Sequence, residues 1–264
     1  MMRALYTAAT GMGAQQINVD TIANNLANVN TAGFKKSRVD FQDLLYQQIR
    51  MAGASSSDTT QVPTGINVGL GVRPVATQKM FTPGLPKLTS QPLDVRLDGD
   101  GFFQIELPEG ELGYTRDGSF KLDNERRVVT GDGYLLEPNI TIPENVRYED
   151  ISIAPDGTVQ VLVAGESTPT DLGQITVATF VNPAGLTATG SNLFKQSPAS
   201  GDPNVGTPGT EGRATLEQGS LEMSNVAVID EMVDLITAQR AYDVNSKSIQ
   251  TSDEMLGLAN SLKR

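Results

Sequence analysis

Residues 225–262 read NVAVIDEMVDLITAQRAYDVNSKSIQTSDEMLGLANSL, a run with no proline. Val228, Leu235, Tyr242, Ile249 and Leu256 recur every seven residues, and Met232, Gln239, Ser246, Asp253 and Asn260 stand between them. That 3–4 alternation predicts a coiled-coil-like helix. At 1.5 Å per residue it reaches roughly 57 Å, longer than most globular helices. Ser224 or Asn225 is the expected N-cap. Asp230 and Glu231 suit the positive helix start, and Lys263 and Arg264 the negative end. The intervening seam positions grow more polar along the run, so this helix needs a partner.

The other end of the chain carries the matching pattern. From Arg3 to Val29 there is again no proline, and Leu5, Met12, Val19 and Leu26 recur every seven residues. Ala8 or Ala9, Gln15 or Gln16, Ile22 and Val29 occupy the intervening seam. The apolar face is narrow, and Gly11 and Gly13 each cost about 1 kcal/mol relative to alanine. A lone helix of this quality is marginal in water. The two terminal helices are therefore expected to pair, either as a cap on the rest of the chain or as the contact surface of an assembly.

Between them the periodicity changes. Short apolar runs alternate with Asp-Gly and Gly-Asp-Gly turns, which supply the positive φ angles of tight hairpins. Hairpins are predicted about Gly99-Asp100-Gly101, about Thr130-Gly131-Asp132-Gly133 and about Pro155-Asp156-Gly157, with a further strand at Ile175–Phe180. Residues 52–60 read as a linker of small polar residues, and 196–213 as a return segment rich in Gly, Pro and Ser. The fold class is thus α+β: N- and C-terminal helices paired as a coiled-coil-like domain, with an inserted, mainly antiparallel β domain. The expected division is 1–33 plus 219–264 for the helical domain, 34–74 plus 200–218 for a connecting segment, and 75–199 for the β domain.

Composition narrows the chemistry. The chain has 264 residues, 20 basic and 31 acidic, for a net charge of −11. That balance disfavours a nucleic-acid partner or an anionic membrane surface, both of which need clustered Lys and Arg. Residues 1–30 hold only Arg3 and Asp20 and are neutral, whereas 31–218 carry 15 basic against 23 acidic groups. The β region is therefore the charged, solvated part. There is no cysteine and no histidine, which removes disulfides, thiolate metal sites, triad imidazoles and the usual general base. The N-terminus lacks the continuous apolar core of a cleavable signal, and no run approaches the ~20 apolar residues of a membrane helix.

Three constellations could carry chemistry, and each has a plainer reading. Asp98 with Gly99-Asp100-Gly101 lacks the alternating oxygen ligands of a calcium loop, since Phe102 takes a ligand slot. Asp117, Asp123 and Glu125 could be imagined as glycosidase carboxylates, but nothing nearby supplies an apolar wall to raise one pKa. Gly65-Ile66-Asn67-Val68-Gly69-Leu70-Gly71 lacks the Gly-Lys-Ser/Thr ending of a phosphate loop and reads as a glycine-rich strand. No catalytic, metal or cofactor site is expected.

Asn24-Asn25-Leu26-Ala27-Asn28-Val29-Asn30-Thr31-Ala32-Gly33-Phe34-Lys35 resembles the N-terminal motif of the bacterial flagellar rod and hook axial proteins. Further matches follow in order: Leu93-Asp94-Val95, Gly101-Phe102-Phe103-Gln104-Ile105, Tyr114-Thr115-Arg116-Asp117-Gly118-Ser119-Phe120 and Gly131-Asp132-Gly133-Tyr134. The C-terminal run from Glu222-Met223-Ser224-Asn225-Val226 through Gln239-Arg240-Ala241-Tyr242 is similar to the distal rod branch of that family, as is Pro63–Pro74.

The resemblance implies a helical tubular polymer of this chain. It implies contacts with proximal rod proteins, the hook protein and the surrounding L- and P-ring proteins, and export by the flagellar type III apparatus without a cleaved signal. The location it implies is the basal body, from periplasm to outer membrane. Leu5, Met12, Val19, Ile22, Leu26 and Val29 are then expected to pack with Val228, Met232, Leu235, Tyr242, Ile249 and Leu256, within or between subunits. Asn24, Asn25, Asn28 and Asn30 are expected to satisfy polar groups at the helix end, and Gly33 to act as a left-handed cap. A proximal rod or hook-like subunit remains an alternative within the family. Outside it, a secreted glycan-binding β module with a helical stalk is the competing reading.

Overall fold

Proline-free, seven-residue-periodic sequence at both ends produces two long helices. A computed structural model describes residues 2–53, 63–163 and 168–261. Helix α1 spans Met2–Ala27 and α2 spans Val228–Ser261, and the two pack along each other as expected. Most of the expected linker (its residues 54–60), together with Lys263 and Arg264, lies outside the described residues. The chain divides into two units. The first comprises 1–27, 37–78 and 227–264; the second comprises 28–36 and 79–226.

In the first unit, the helix pair is joined by an arm of paired strands. Strand β1 (Ser37–Asp43) pairs with β4 (Val72–Lys79), and β2 (Tyr46–Arg50) pairs antiparallel with β3 (Ile66–Gly69). Strand β1 also packs on α1. The α1–α2 approach is close because small residues face each other, with Ala8, Ala14 and Ala238 all buried. A Cβ added at Gly11 would sit 2.9 Å from the Asn245 amide nitrogen.

Helix α2 starts later than its sequence suggests. The Glu231 amide donates to the Ala227 carbonyl at 3.0 Å, which makes Ala227 the residue that opens the helix. Neither Ser224 nor Asn225 caps it, because the Asn225 side chain is engaged elsewhere, as described below. Asp230 and Glu231 do occupy the first turn.

The second unit is a β structure whose strand pairs are antiparallel. Strand β5 (Pro86–Leu88) precedes β6 (Val95–Asp98), β7 (Phe102–Glu106) and β8 (Leu112–Thr115). The short strands β9 (Lys121–Leu122), β10 (Val128–Val129) and β11 (Leu135–Glu137) follow. A three-stranded sheet holds β12 (Ile151–Ile153), β13 (Thr158–Val161) and β14 (Thr170–Gln174). Then come β15 (Val177–Thr179), β16 (Thr187–Gly190), β17 (Leu193–Lys195), β18 (Asn204–Gly206), β19 (Thr215–Gln218) and β20 (Ser220–Glu222).

Strand β7 is central. It pairs with β8 on one edge and with β11 and β15 on the other. Alternation along the strand sends Phe102 and Phe103 to opposite faces, where they enter different apolar clusters. Phe103 packs edge-to-face on Phe120 beside Val95, Leu97 and Leu136. Phe102 packs the same way on Phe81, Phe180 and Phe194.

Two of the three expected hairpins are present. Val129 pairs with Leu135 across Thr130–Gly133, and Ile151 pairs with Val161 across the Pro155-Asp156-Gly157 turn. The one expected at Gly99-Asp100-Gly101 is not a hairpin. There β6 pairs with β19, with Leu97 opposite Leu216, so the glycines carry the chain from one sheet to another. The Asp100 carbonyl accepts from the Ala214 amide at 2.9 Å. A local turn signal cannot say which distant strand will win the pairing. The expected strand at Ile175–Phe180 is shorter than the run, covering Val177–Thr179.

Glycines with different surroundings give a paired test. At Gly118 an added Cβ overlaps the Val95 carbonyl oxygen, which belongs to the backbone, whereas at Gly11 it meets only the end of a rotatable amide. Gly11→Ala is expected to leave the thermal midpoint unchanged or raise it, since alanine gains about 1 kcal/mol of helix propensity. Gly118→Ala should lower it by about 2–12 °C, the effect of overpacking by about 1–3 kcal/mol. Circular dichroism melts of both variants check the contrast.

Candidate functional site

The helix seam has a different phase from the one read in the sequence. Leu5, Met12, Val19 and Leu26 are half-buried along α1, and Ile22 is fully buried. Val29 lies beyond the helix and is half-buried in the second unit. On α2, Leu235, Ile249 and Leu256 are half-buried. Their buried companions are Glu231, Ala238 and Ser252, three residues after each heptad position rather than four. Of the residues expected there, Met232, Gln239 and Asp253 sit one position round the helix and are exposed, while Ser246 is half-buried. Ala238 and Ser252 win their places because small side chains let the axes approach, while Glu231 is held by the Asn25 amide. Val228 is also exposed, and Tyr242 is 40% exposed.

Asn25 is the polar centre of the first unit, with 2% of its surface exposed. Its amide donates to the Ser37 carbonyl at 2.9 Å and to the Glu231 carboxylate at 3.1 Å, while its oxygen accepts from the Ser37 amide at 2.9 Å. One side chain thus ties the end of α1 to the starts of β1 and α2. In the second unit Asn225 does the same for different segments. It accepts from the Lys36 amide at 2.8 Å and donates to the Met80 carbonyl at 2.8 Å. Asn28 accepts from the Thr31 hydroxyl at 3.2 Å, and Asn24 and Asn30 are exposed.

Gly33 has φ +67°, yet helix α1 has ended at Ala27, so Gly33 does not cap it. It donates to the Glu222 carbonyl at 2.8 Å, and a Cβ there would lie 2.6 Å from the Asp117 nitrogen. Both the left-handed backbone and the close approach therefore require glycine. Phe34, the next residue, is buried beneath the Lys79 ammonium, 5.0 Å from the ring centre.

A buried ion cluster lies beside it. The Lys35 ammonium is 2.6 Å from one oxygen of Glu222, and Arg116 is 3.3 Å from the other. All three residues are at most 2% exposed. Lys35 also donates to the Thr82 carbonyl at 2.8 Å, and the Gly84 amide donates to Glu222 at 2.8 Å. Arg116 stands over the Phe102 ring at 5.4 Å, its Nε without a hydrogen-bond partner among the described residues.

Burial pulls the Lys35 pKa below the ordinary lysine value despite the opposing attraction of Glu222, and neighbouring Arg116 adds to the lowering. Burial likewise lowers Arg116, again against Glu222. Two cations share one carboxylate where desolvation dominates, so the cluster selects an arrangement more than it adds stability. It fixes 28–36 and 220–226 against β8. In the sequence these three charges stand inside the quoted motifs, far apart along the chain. Their signal was a lone ionisable residue inside each otherwise small or apolar motif: Gly33-Phe34-Lys35, Tyr114-Thr115-Arg116 and Leu221-Glu222-Met223.

The candidates for chemistry occupy ordinary turns. Asp123 binds Arg127 at 2.6 Å, which holds its carboxyl below the usual range, chiefly by the Arg127 hydrogen bond. Asp117 accepts from the Ser119 amide at 3.0 Å. Residues 66–69 form strand β3. Among the described residues no group of His, Cys, Asp or Glu could hold a metal ion, and no helix is long and apolar enough to cross a membrane. Gln239 and Arg240 are exposed on α2, and Gly101 leads into Phe102 and Phe103 on β7.

Three family models match the chain. Residues 5–35 match the flagella basal body rod protein family, 96–161 match the flagellar hook protein FlgE/F/G D1 domain, and 217–262 match the flagellar basal body rod FlgEFG protein C-terminal family. The flagellar basal-body rod protein FlgG of Borreliella burgdorferi is 54% identical over 264 residues, covering all of both chains. FlgG of Bacillus subtilis is 43% identical over 270 residues, again covering all of both. The flagellar hook-basal body complex protein FlhP of the same organism is 31% identical over 275 residues.

The ion cluster makes a sharp prediction. Glu222→Gln leaves two buried cations without a counter-charge in contact, with only the field of the exposed Asp100 to oppose them, and should cost about 3–5 kcal/mol in urea unfolding. Combining Lys35→Met, Arg116→Met and Glu222→Leu should recover most of that loss, because no uncompensated charge then remains buried.

Proposed function

Since this chain belongs to the family of flagellar basal-body rod proteins, we propose that it is the structural subunit of the distal rod. Copies of it polymerise into a helical tube that crosses the periplasm, carries motor torque and joins the proximal rod to the hook. In that polymer the terminal helices form the inner tube and residues 75–199 its outer layer. The L- and P-ring proteins surround it, and the subunit arrives through the type III export apparatus without a cleaved signal. Its work is mechanical, with no catalytic step or cofactor.

One observation carries this reading: α2 exposes a long apolar stripe on the side away from α1. Ile229 is 78% exposed and Val233 57%, and Met232 and Ile236 continue the stripe. Each such side chain gains about 1.5–3 kcal/mol when fully buried. A neighbouring helix can supply that burial. The seam of small residues leaves the pair itself with little apolar area to bury, so the favourable packing is reserved for the growing polymer. The full-length identity to FlgG proteins supports the distal rod over a hook-like subunit.

Two classes of substitution separate fold from assembly. Ile229→Asp with Val233→Asp should leave the helix content of the isolated chain unchanged, yet abolish rod formation and swimming in cells lacking the native copy. Leu26→Asp or Leu235→Asp, within the helix seam, should abolish both helix pairing and rod formation. Normal swimming by the first double variant would contradict the proposal.

A further inference from the structure

On one flank of the helix pair, Gln16, Val19 and Asp20 of α1 and Gln239, Tyr242 and Asp243 of α2 line an open groove of about 540 Å³. It holds two carboxylates and no basic group. Among the described residues neither Asp20 nor Asp243 has an ion-pair partner, and neither does Arg240. With 3.6 residues per turn, Ile229, Val233, Ile236 and Arg240 form one ridge of α2, on the face opposite Glu231, Leu235 and Ala238. Those three face α1, and Arg240 does not line the groove of its own chain.

We propose that this groove receives Arg240 from a second copy of the chain, so that the α2 ridge of one subunit packs into the α1–α2 groove of the next. The charge and shape are complementary. A guanidinium offers planar, forked donors that suit two flanking carboxylates, and it stacks on an aromatic face such as Tyr242. The Gln16 and Gln239 amides can accept its remaining N–H groups. Val233 and Ile236, beside Arg240 on the ridge, bring the apolar part of the contact. Ridge and groove are different surfaces of one subunit. The contact is therefore heterologous and does not close as a two-fold dimer; with a rotation that does not close, it repeats into an open helical filament, as the self-assembly reading requires. The carboxylate–guanidinium pair fixes the register, which an apolar stripe alone leaves free to slide.

The inference rests on the self-assembly reading, and a charge-swap mixing experiment separates the two. Arg240→Glu is expected to reduce rod yield and swimming more than about tenfold, because like charges then meet at every interface. Asp20→Lys combined with Asp243→Asn should fail in the same way. Co-expressed in one cell, the two variants should restore rods. In an alternating polymer every groove then meets a ridge of opposite charge. Helix content of each purified variant should equal that of the parent, since all three residues are exposed.

Rescue by mixing supports the contact. Normal assembly of Arg240→Glu alone would overturn it, as would failure of the mixture when both variants fold. So would a block produced by Arg3→Glu or Lys247→Glu while Arg240→Glu assembles normally. If the parent chain itself forms no polymer, the self-assembly reading falls instead.

Discussion

The narrowness of the helix seam is the constraint from which the rest follows. Ala8, Ala14, Ala238 and the Gly11–Asn245 contact let α1 and α2 approach closely. Closeness comes at the expense of area, because small side chains bury little apolar surface. The larger residues, Leu5, Met12, Leu235 and Ile249, are covered only in part, and Ile229 and Val233 are mostly exposed. A pair built this way gains its full packing energy when other helices surround it. That property suits the subunit of a helical polymer.

The polar devices act on specificity. Asn25 and Asn225 each hold segments distant in sequence by directed hydrogen bonds, Asn25 within the helical unit and Asn225 within the β unit. Glu222 between Lys35 and Arg116 does so with charge. Desolvation dominates at both cations, so apolar replacements of similar volume would pack as well. What apolar residues could not do is reject a misdocked segment, because a buried ion without its partner is costly wherever it lies. The N-terminal motif 28–36 and the segment 220–226 thus specify each other's placement through Lys35 and Glu222.

Much of this was legible in the residues. The two helices followed from proline-free heptads, and the hairpins at Thr130–Gly133 and Pro155–Gly157 from turn chemistry acting over a few residues. What escaped was non-local. The partner of β6 is β19, more than a hundred residues away, and no local signal at Gly99-Asp100-Gly101 points to it. The seam phase was ambiguous because a seven-residue repeat permits a companion three or four residues on, and only the packed partner selects Ala238 over Gln239. Gly33 was marked for its left-handed backbone, which it has, but its contacts lie with Glu222 and Asp117 rather than with a helix end. The Lys35–Arg116–Glu222 cluster joins three motifs, and its members become a site only when the chain is folded.

Hydrogen exchange on the purified chain, before and after polymerisation, shows whether the helix pair is completed by its neighbours. Amides of the β7 core should be protected in both states, while those of α1 and α2 should exchange rapidly in the free chain and become protected in the polymer. Helices already as protected in the free chain as the β7 core, with no change on assembly, would contradict that completion and mark the pair as a self-contained cap.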